Sequence, residues 1–126
     1  MKDIKWDEKR LVPVVVQDFK TKDVLMVAYM NDEALDLTVK TGTAHYYSRS
    51  RKKIWLKGET SGHTQKVHDI YLDCDNDTIL ITVDQKVAAC HMGFWSCFYR
   101  AWENGWKVVG KKMFDEKKVY GDKGSE

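Results

Sequence analysis

Two apolar runs near the start of the chain predict a β-hairpin. Residues 12–17 read VPVVVQ and residues 24–30 read VLMVAYM, with a polar stretch at residues 18–23 between them. β-Branched and apolar runs of this length favour strands, and a short polar connection favours their pairing. Pro13 has no backbone N–H to donate, so it suits an edge strand or the first position of a strand.

The polar pattern after residue 30 predicts a helix. Asn31 is a typical N-cap, and Gly42 is typical of the residue just past a helix C-terminus. Asp32 and Glu33 would fall in the first turn, where acidic side chains are favourable. The inner side of this helix is predicted to carry Ala34, Leu35 and Thr38.

Further apolar and alternating stretches predict strands at residues 44–48, 54–57, 69–73, 78–83 and 97–102. The strands at 69–73 and 78–83 are expected to pair through a turn, and residues 87–96 are expected to form a loop. The charged residues 112–126 show little periodicity and are expected to be a loosely ordered tail. The pattern therefore predicts one α+β domain over residues 1–126, predominantly antiparallel, with one or two short helices.

The composition is that of a globular protein of ordinary size. The chain has 126 residues, of which 43% are hydrophobic and 32% are charged, and this length can bury a core. No apolar run approaches the length of a membrane span, and residues 1–10 lack the hydrophobic segment of a signal peptide. We therefore expect a cytoplasmic protein with no membrane partner. The net charge of +2 is too small to predict nucleic-acid binding by itself.

All three cysteines of the chain fall between residues 74 and 97. Three thiolates can hold zinc tetrahedrally and leave the fourth position to water, which is typical of a catalytic zinc site. An odd number of cysteines also favours free thiols or a metal over a disulfide framework. The alternative is that Cys74, Cys90 and Cys97 are buried as small hydrophobic residues.

Three carboxylates surround the first cysteine. Asp73, Asp75 and Asp77 offer oxygen ligands that suit magnesium or calcium better than a thiolate-binding metal. If the preceding strand continues, its period of two places the three aspartates on one face and Cys74 on the other. A plain hairpin turn is the alternative. An EF-hand is excluded, because Thr78 replaces its required glycine and a strand-like run follows.

A basic segment, residues 48–63, offers cations, hydroxyls and glycines that can form a phosphate cradle. The candidate substrate- and phosphate-binding residues are Ser48, Arg49, Ser50, Arg51, Trp55, Lys57, Glu59, Thr60 and Ser61. The alternative is a basic hairpin that simply faces water. Tyr46, Tyr47 and Trp55 can either stack on the bases of a single-stranded nucleic acid or belong to the core.

Two histidines are candidates for proton transfer. His91 directly follows Cys90, and His63 ends the basic segment. A structural or surface position is the alternative for each of them.

Four segments of the chain resemble the phosphoribosyl-AMP cyclohydrolase family of histidine biosynthesis. They are YMNDEAL (29–35), YYSRSRKKIWLKGETSGHTQ (46–65), DCDNDT (73–78) and ACHMGFWSCF (89–98). The resemblance implies a β-rich homodimer that hydrolyses the N1–C6 bond of the adenine ring of phosphoribosyl-AMP. It also implies zinc on Cys74, Cys90 and Cys97 and magnesium on Asp73, Asp75 and Asp77. The second, pyrophosphohydrolase domain of some relatives is not expected here.

The chemistry of the residues agrees with that activity. Attack on C6 at neutral pH requires an activated water, which a zinc site can supply, and N1 must gain a proton as its bond breaks. His91 is the first candidate for this proton shuttle, and His63 is the alternate. The rival hypothesis is a binding module for single-stranded RNA, in which His91 completes a Cys₃His structural zinc site. The adjacency of His91 and Cys90 makes binding of one ion by both side chains awkward, which favours the enzyme.

The cysteine spacing also bears on assembly. Cys90 and Cys97 are separated by six residues and can pair within one loop, whereas Cys74 follows a distant strand. A two-fold dimer can supply Cys74 from the partner chain. We therefore expect a homodimer with metal sites near its interface.

Overall fold

The computed structural model describes residues 2–120. The two apolar runs form strands β1 (Val12–Asp18) and β2 (Val24–Met30), which pair antiparallel from Val12 opposite Met30 to Val16 opposite Met26. The carboxylate of Asp18 accepts hydrogen bonds from the amides of Lys20 and Thr21 in the connecting turn. The predicted hairpin is confirmed.

The hairpin belongs to a four-stranded sheet with the order β2-β1-β6-β5. Strands β5 (Gln65–Leu72) and β6 (Ile79–Gln85) pair antiparallel as predicted, although β5 begins four residues before the predicted start at residue 69. Strands β1 and β6 run parallel. Pro13 therefore lies in a central strand, which excludes the first predicted alternative, an edge strand, and places Pro13 one residue after the first position of β1. Its place in the second position of β1 is tolerated because the ladder to β6 begins only at Val14.

Helix α1 (Asp32–Thr41) has the predicted ends. The side chain of Asn31 accepts the amide of Ala34 at 2.8 Å, and the amide of Gly42, at φ 73°, donates to the carbonyl of Thr38 at 2.9 Å. The inner side is buried as predicted, through Ala34, Leu35 and Thr38. This helix packs against β2 and against a second, two-stranded antiparallel sheet of β3 (His45–Ser48) and β4 (Lys53–Leu56).

The core lies between the inner face of the large sheet, the helix and the small sheet. Alternate residues of the strands point into it, so that Val14, Val16, Ile81 and Val83 are fully buried together with Tyr46 of β3. The fold is α+β and its strand pairs are mostly antiparallel, in agreement with the sequence prediction.

The C-terminal part departs from the prediction. The strand expected over residues 97–102 is shortened to β7 (Arg100–Trp102), which pairs with an unpredicted strand β8 (Trp106–Val108). Within the supposed tail, Met113 bonds to the loop around Gly93, and residues Glu116–Tyr120 form the short helix α2. Residues 112–120 therefore make defined contacts in the structure, and the rest of the predicted tail, 121–126, lies outside the described residues. Over residues 2–120, none of the helices has the length and apolar character needed to cross a membrane.

Candidate active site

Asp73, Asp75 and Asp77 lie in the turn that joins β5 to β6. The amide of Asp73 donates to the carbonyl of Thr78 at 3.0 Å, and Asn76 adopts a left-handed φ of 65°. The strand therefore ends before Asp73, and the predicted arrangement of the aspartates on one face of a continued strand is wrong. The turn still brings the three side chains together, since one carboxylate oxygen of each lies within 4.8 Å of the others.

The electrostatics of this turn favour a cation. Although burial opposes it, hydrogen bonds from the amides of Asp77 and Thr78 hold the pKa of Asp73 below its usual value. A hydrogen bond with Asp77, together with the charges of Asp73 and Asp77, raises the pKa of Asp75. Three exposed carboxylates that repel one another at this separation can hold magnesium, which prefers carboxylate and water oxygens.

Cys90 lies within the predicted loop of residues 87–96, and Cys97 directly follows that loop. The amide of Cys90 donates to the carbonyl of Phe94 at 3.2 Å, and the amide of Cys97 donates to the carbonyl of Leu25 in β2 at 2.7 Å. Ser96 Oγ adds a 2.7 Å hydrogen bond to the carbonyl of Val24. Ser96 and Cys97 are thus held against the start of β2.

The two thiols shift each other's pKa in opposite directions. The hydrogen bond from Cys97 lowers the pKa of Cys90 to about 6, with help from the amides of Met92 and Phe94 and the charge of Lys57. The same hydrogen bond raises the pKa of Cys97. A thiolate at Cys90 next to a second sulfur is suited to a thiophilic metal such as zinc, which binds cysteine as the thiolate.

Cys74 does not join this pair within the chain. It lies exposed in the aspartate turn at one end of the β5–β6 hairpin, whereas Cys90 follows the opposite end, beyond Gln85. The eight residues of β5 separate the two ends by roughly 25 Å at the usual rise per residue. Among residues 2–120, no group of metal-ligating side chains unites the three cysteines.

His91 is half-buried beside the thiol pair. Burial lowers its pKa, the positive charge of Lys57 lowers it further, and the carboxylate of Glu116 acts in the opposite direction. Lys57 itself is buried, and its ammonium donates to the carbonyl of Ala89 at 2.7 Å. A neutral imidazole at neutral pH can accept a proton, as the prediction for His91 requires.

The main chain of His63 is linked by hydrogen bonds to the segment just before Cys90 and His91. The side-chain amide of Gln85 donates to the carbonyls of His63, Lys86 and Ala88 at 3.3, 3.1 and 3.1 Å. The buried Gln65 in turn donates to the side-chain oxygen of Gln85 at 2.7 Å and accepts from the hydroxyl of Tyr46. This glutamine network joins the loops that carry the two candidate histidines.

The basic hairpin between β3 and β4 forms one wall of an open pocket of about 560 Å³. Of the predicted substrate residues, the pocket is lined by Ser48, Arg49, Ser50 and Trp55. The guanidinium of Arg49 lies 4.0 Å from the centre of the Tyr29 ring, which also lines the pocket. Arg51 sits at the exposed tip, where its amide donates to Ser48 Oγ at 3.2 Å.

The remaining predicted substrate residues, Lys57, Glu59, Thr60 and Ser61, lie outside this pocket. They belong to the turn after β4, in which Ser61 Oγ accepts the amide of His63 at 3.1 Å. The structure therefore divides the predicted cradle into a basic pocket and a loop next to His63. Trp55 connects the two parts, because its ring lies 5.9 Å from the Lys57 ammonium.

The sequence interpretation missed several residues of this region. Tyr29 was assigned only to a strand, and nothing in its spacing signals the arginine above its ring. Gln65 and Gln85 carry no local signal either, because their partners are distant in the sequence. The amide-rich network would have been detectable only from the unusual burial of Gln65, which the structure reveals.

Comparison with known proteins completes the description. The family model described as phosphoribosyl-AMP cyclohydrolase matches residues 26–99. The phosphoribosyl-AMP cyclohydrolase of Methanospirillum hungatei is 62% identical over 117 residues, which cover 93% of this chain and 88% of that protein. That of Methanoregula boonei is 56% identical over 124 residues, covering 98% of this chain and 99% of that protein. A histidine biosynthesis bifunctional protein of Thermoanaerobacter pseudethanolicus is 53% identical over 121 residues, covering 95% of this chain and 56% of that protein.

Proposed function

Because the chain belongs to the phosphoribosyl-AMP cyclohydrolase family, we propose that it opens the adenine ring of phosphoribosyl-AMP by zinc-assisted hydrolysis. Water adds to C6, the C6–N1 bond breaks, C6 becomes the carbonyl carbon of a carboxamide, and N1 leaves as a protonated nitrogen. The product is the formimino-aminoimidazole-carboxamide ribotide. The bifunctional relative is named as a histidine biosynthesis protein, which supports a place in that pathway.

The proposal rests on the thiol pair of Cys90 and Cys97 beside His91. Zinc needs a third protein ligand, and the resemblance points to Cys74. Since Cys74 lies at the far end of the β5–β6 hairpin of its own chain, we assign this ligand to Cys74 of the partner subunit. Zinc held by these residues would supply a hydroxide for the attack, because coordination to zinc lowers the pKa of water to about 7.

An apolar surface supports the dimer. On the outer face of the large sheet, Val27, Val15, Leu80 and Tyr71 stand opposite one another across the four strands. Val27 and Tyr71 are 48% and 52% exposed. This row runs to the strand that leads into the Cys74 turn, so a second copy on this face would cover apolar surface close to the shared ligand.

Other residues of the chain transfer protons, bind phosphate or would hold magnesium. His91, neutral at neutral pH, takes a proton from the attacking water, and the same imidazole can return a proton to N1. Arg49, Ser48 and Ser50 bind a phosphate of the substrate in the basic pocket, where Trp55 offers a flat apolar surface. Asp73, Asp75 and Asp77 would hold magnesium, which can neutralise phosphate charge or polarise the substrate.

The family membership favours this enzyme over the Cys₃His module that binds single-stranded RNA. In the RNA-binding hypothesis the zinc is closed by His91 and no ring opening occurs. The three free thiols also agree with a reducing compartment, so we propose that the enzyme works in the cytoplasm.

Incubation of the purified protein with phosphoribosyl-AMP tests the proposal. The absorbance of the adenine ring should change with time, the change should stop after treatment with a strong chelator, and zinc with magnesium should restore it. Tight binding of single-stranded RNA together with an unaltered adenine spectrum would instead support the RNA-binding module.

A further inference from the structure

Residues 111–116, here called the C-terminal strap, lie across the loop that carries His91. The carbonyl of Lys111 accepts the amide of Trp95 at 2.9 Å, and the amide of Met113 donates to the carbonyl of Gly93 at 2.6 Å. A side chain at position 93 would meet the carbonyl of Phe114 at 2.2 Å, so the close approach requires glycine there. The strap is thus bonded to both sides of the loop tip.

Phe114 extends from the strap to the other candidate histidine. Its amide donates to the carbonyl of Gly93 at 3.4 Å, while its ring meets the imidazole of His63 edge-on, with the ring centres 4.8 Å apart. The loop of His63 and the loop of His91 are separate in the sequence. Phe114 therefore joins them with its main chain on one loop and its side chain on the other.

The phenyl group is half-buried, whereas Met113 and Asp115 on either side of it are exposed. Phe114 does not belong to the main core, and its contact with His63 contributes to its burial. A ring edge against an imidazole limits the rotation of the imidazole and removes one of its faces or edges from water.

We propose that Phe114 is a positioning residue that holds the imidazole of His63, the alternate candidate for proton transfer, so that the strap is a working part of the active site. This inference rests on the proposed cyclohydrolase function and extends it to a segment beyond residues 26–99, the part of the chain matched by the family model. Phe114 itself takes no proton and acts through His63.

The test compares Phe114→Ala with Phe114→Tyr, which keeps the ring. Phe114→Ala should lower kcat roughly three- to tenfold, the range expected for loss of one aromatic contact, with KM and the zinc content unchanged. Phe114→Tyr should retain most of the activity. In the proton NMR spectrum, the imidazole signal of His63, assigned by its disappearance in His63→Ala, should shift in Phe114→Ala because the ring current is lost.

A double-mutant cycle decides whether Phe114 acts through His63. If it does, Phe114→Ala should cause no further loss of kcat in the His63→Ala protein. The matched control is Phe19→Ala, which removes a ring stacked on a different histidine, His68, at 4.0 Å and should leave kcat unchanged.

Two results would overturn this inference: an equal loss of kcat with and without His63, or an unmoved His63 signal in an active enzyme. Should Phe114→Ala prove unstable, Phe114→Leu tests the same point, because it fills space without an aromatic edge. A wild-type protein that leaves phosphoribosyl-AMP unaltered would overturn the proposed function instead, and the His63 signal would still report the contact.

Discussion

The ammonium of Lys57 donates a 2.7 Å hydrogen bond to the carbonyl of Ala89, the residue before Cys90. Lys57 is only 4% exposed, and its charge contributes to the lowered pKa values of Cys90 and His91. Lys57, which the sequence predicts to bind phosphate, thus contacts the loop that carries Cys90 and Cys97, here called the thiol loop. Its position indicates that it supports this loop and the charge balance around the cysteines.

Replacement of Lys57 should affect both the stability of the protein and its catalytic rate. Lys57→Met should leave the carbonyl of Ala89 without its partner and lower the free energy of unfolding by roughly 1–3 kcal/mol. It should also lower kcat more than it raises KM, because the thiol loop and His91 are displaced. Chemical denaturation and steady-state kinetics measure the two effects.

Lys53→Met is the matched control, because Lys53 is an exposed lysine at the start of β4. It should change neither stability nor kcat. A Lys57→Met protein of wild-type stability with a strongly raised KM would show instead that Lys57 binds the phosphate.

Arg49 is the cation best placed for substrate binding. Removal of a charge-assisted hydrogen bond to phosphate costs roughly 1.5–3 kcal/mol, so Arg49→Ala should raise KM roughly ten- to hundredfold. Phosphate contacts are made in the ground state and the transition state alike, and kcat should therefore change little. Initial rates over a range of substrate concentrations test this expectation.

Arg100→Ala is a suitable comparison, since that guanidinium also lies over a tyrosine ring, at 5.1 Å from the centre of Tyr99, but outside the basic pocket. It should keep the wild-type KM. An Arg49→Ala enzyme with the wild-type KM would exclude the basic pocket as the phosphate site.

Features encoded by neighbouring residues were predictable, whereas those that join distant segments were not. The cap of Asn31 and the left-handed Gly42 depend on local backbone geometry, and both ends of α1 followed from them. The parallel pairing of β1 with β6 joins residues more than sixty positions apart, beginning with Val14 opposite Ile79. No local pattern reports such a contact.

The candidate site also combines features that local sequence predicts with contacts between distant segments that it does not predict. The clustering of the three aspartates was predictable from their spacing of two residues, and the turn between the strands at 69–73 and 78–83 was predicted as well. The position of the Lys57 side chain depends on a carbonyl 32 residues away, and the position of the Phe114 side chain depends on a histidine about fifty residues earlier. Residues 112–126 were predicted to be a tail because they are charged and show little periodicity.

Magnesium should be required for activity and held more loosely than zinc. Magnesium dehydrates reluctantly, and a site of three short, exposed side chains leaves it in exchange with solvent. Brief treatment with a weak chelator should therefore abolish activity without removing zinc, and added magnesium should restore it. Metal analysis of the treated protein checks that the zinc remains.

Asp75→Asn and Asp77→Asn should each raise the magnesium concentration needed for half-maximal activity. Asp36→Asn, an exposed carboxylate on α1, should not. Full activity of both turn variants after exhaustive removal of magnesium would show that the aspartates hold no required cation.

The purified protein should carry one zinc per chain. Cys90→Ala and Cys97→Ala each remove half of the thiol pair, and Cys74→Ala removes the proposed third ligand, so each variant should lose the metal. Elemental analysis of freshly purified protein, prepared without a chelator, gives the ratio. A wild-type sample free of zinc would contradict the assignment, and so would a Cys74→Ala sample that keeps its zinc.

Whether Cys74 comes from the same chain can be tested by mixing. In a heterodimer of a Cys74→Ala chain with a Cys97→Ala chain, a shared arrangement leaves one site without two ligands and the other site intact. After random exchange of equal amounts, about half of the dimers are mixed and each has one good site, so about a quarter of wild-type activity should return. If each zinc is held within one chain, mixing restores nothing.

A second experiment places both substitutions in one chain, so that its result does not depend on the activity of a restored site. One chain carries both Cys74→Ala and Cys97→Ala and is exchanged with the wild-type chain in equal amounts. In a shared arrangement both sites of every mixed dimer are broken, so only the wild-type dimers remain active, and they retain about a quarter of the activity. If each chain holds its own zinc, each wild-type chain stays active in any dimer and about half remains. The roughly 25 Å between the ends of β5 leads us to expect the lower value.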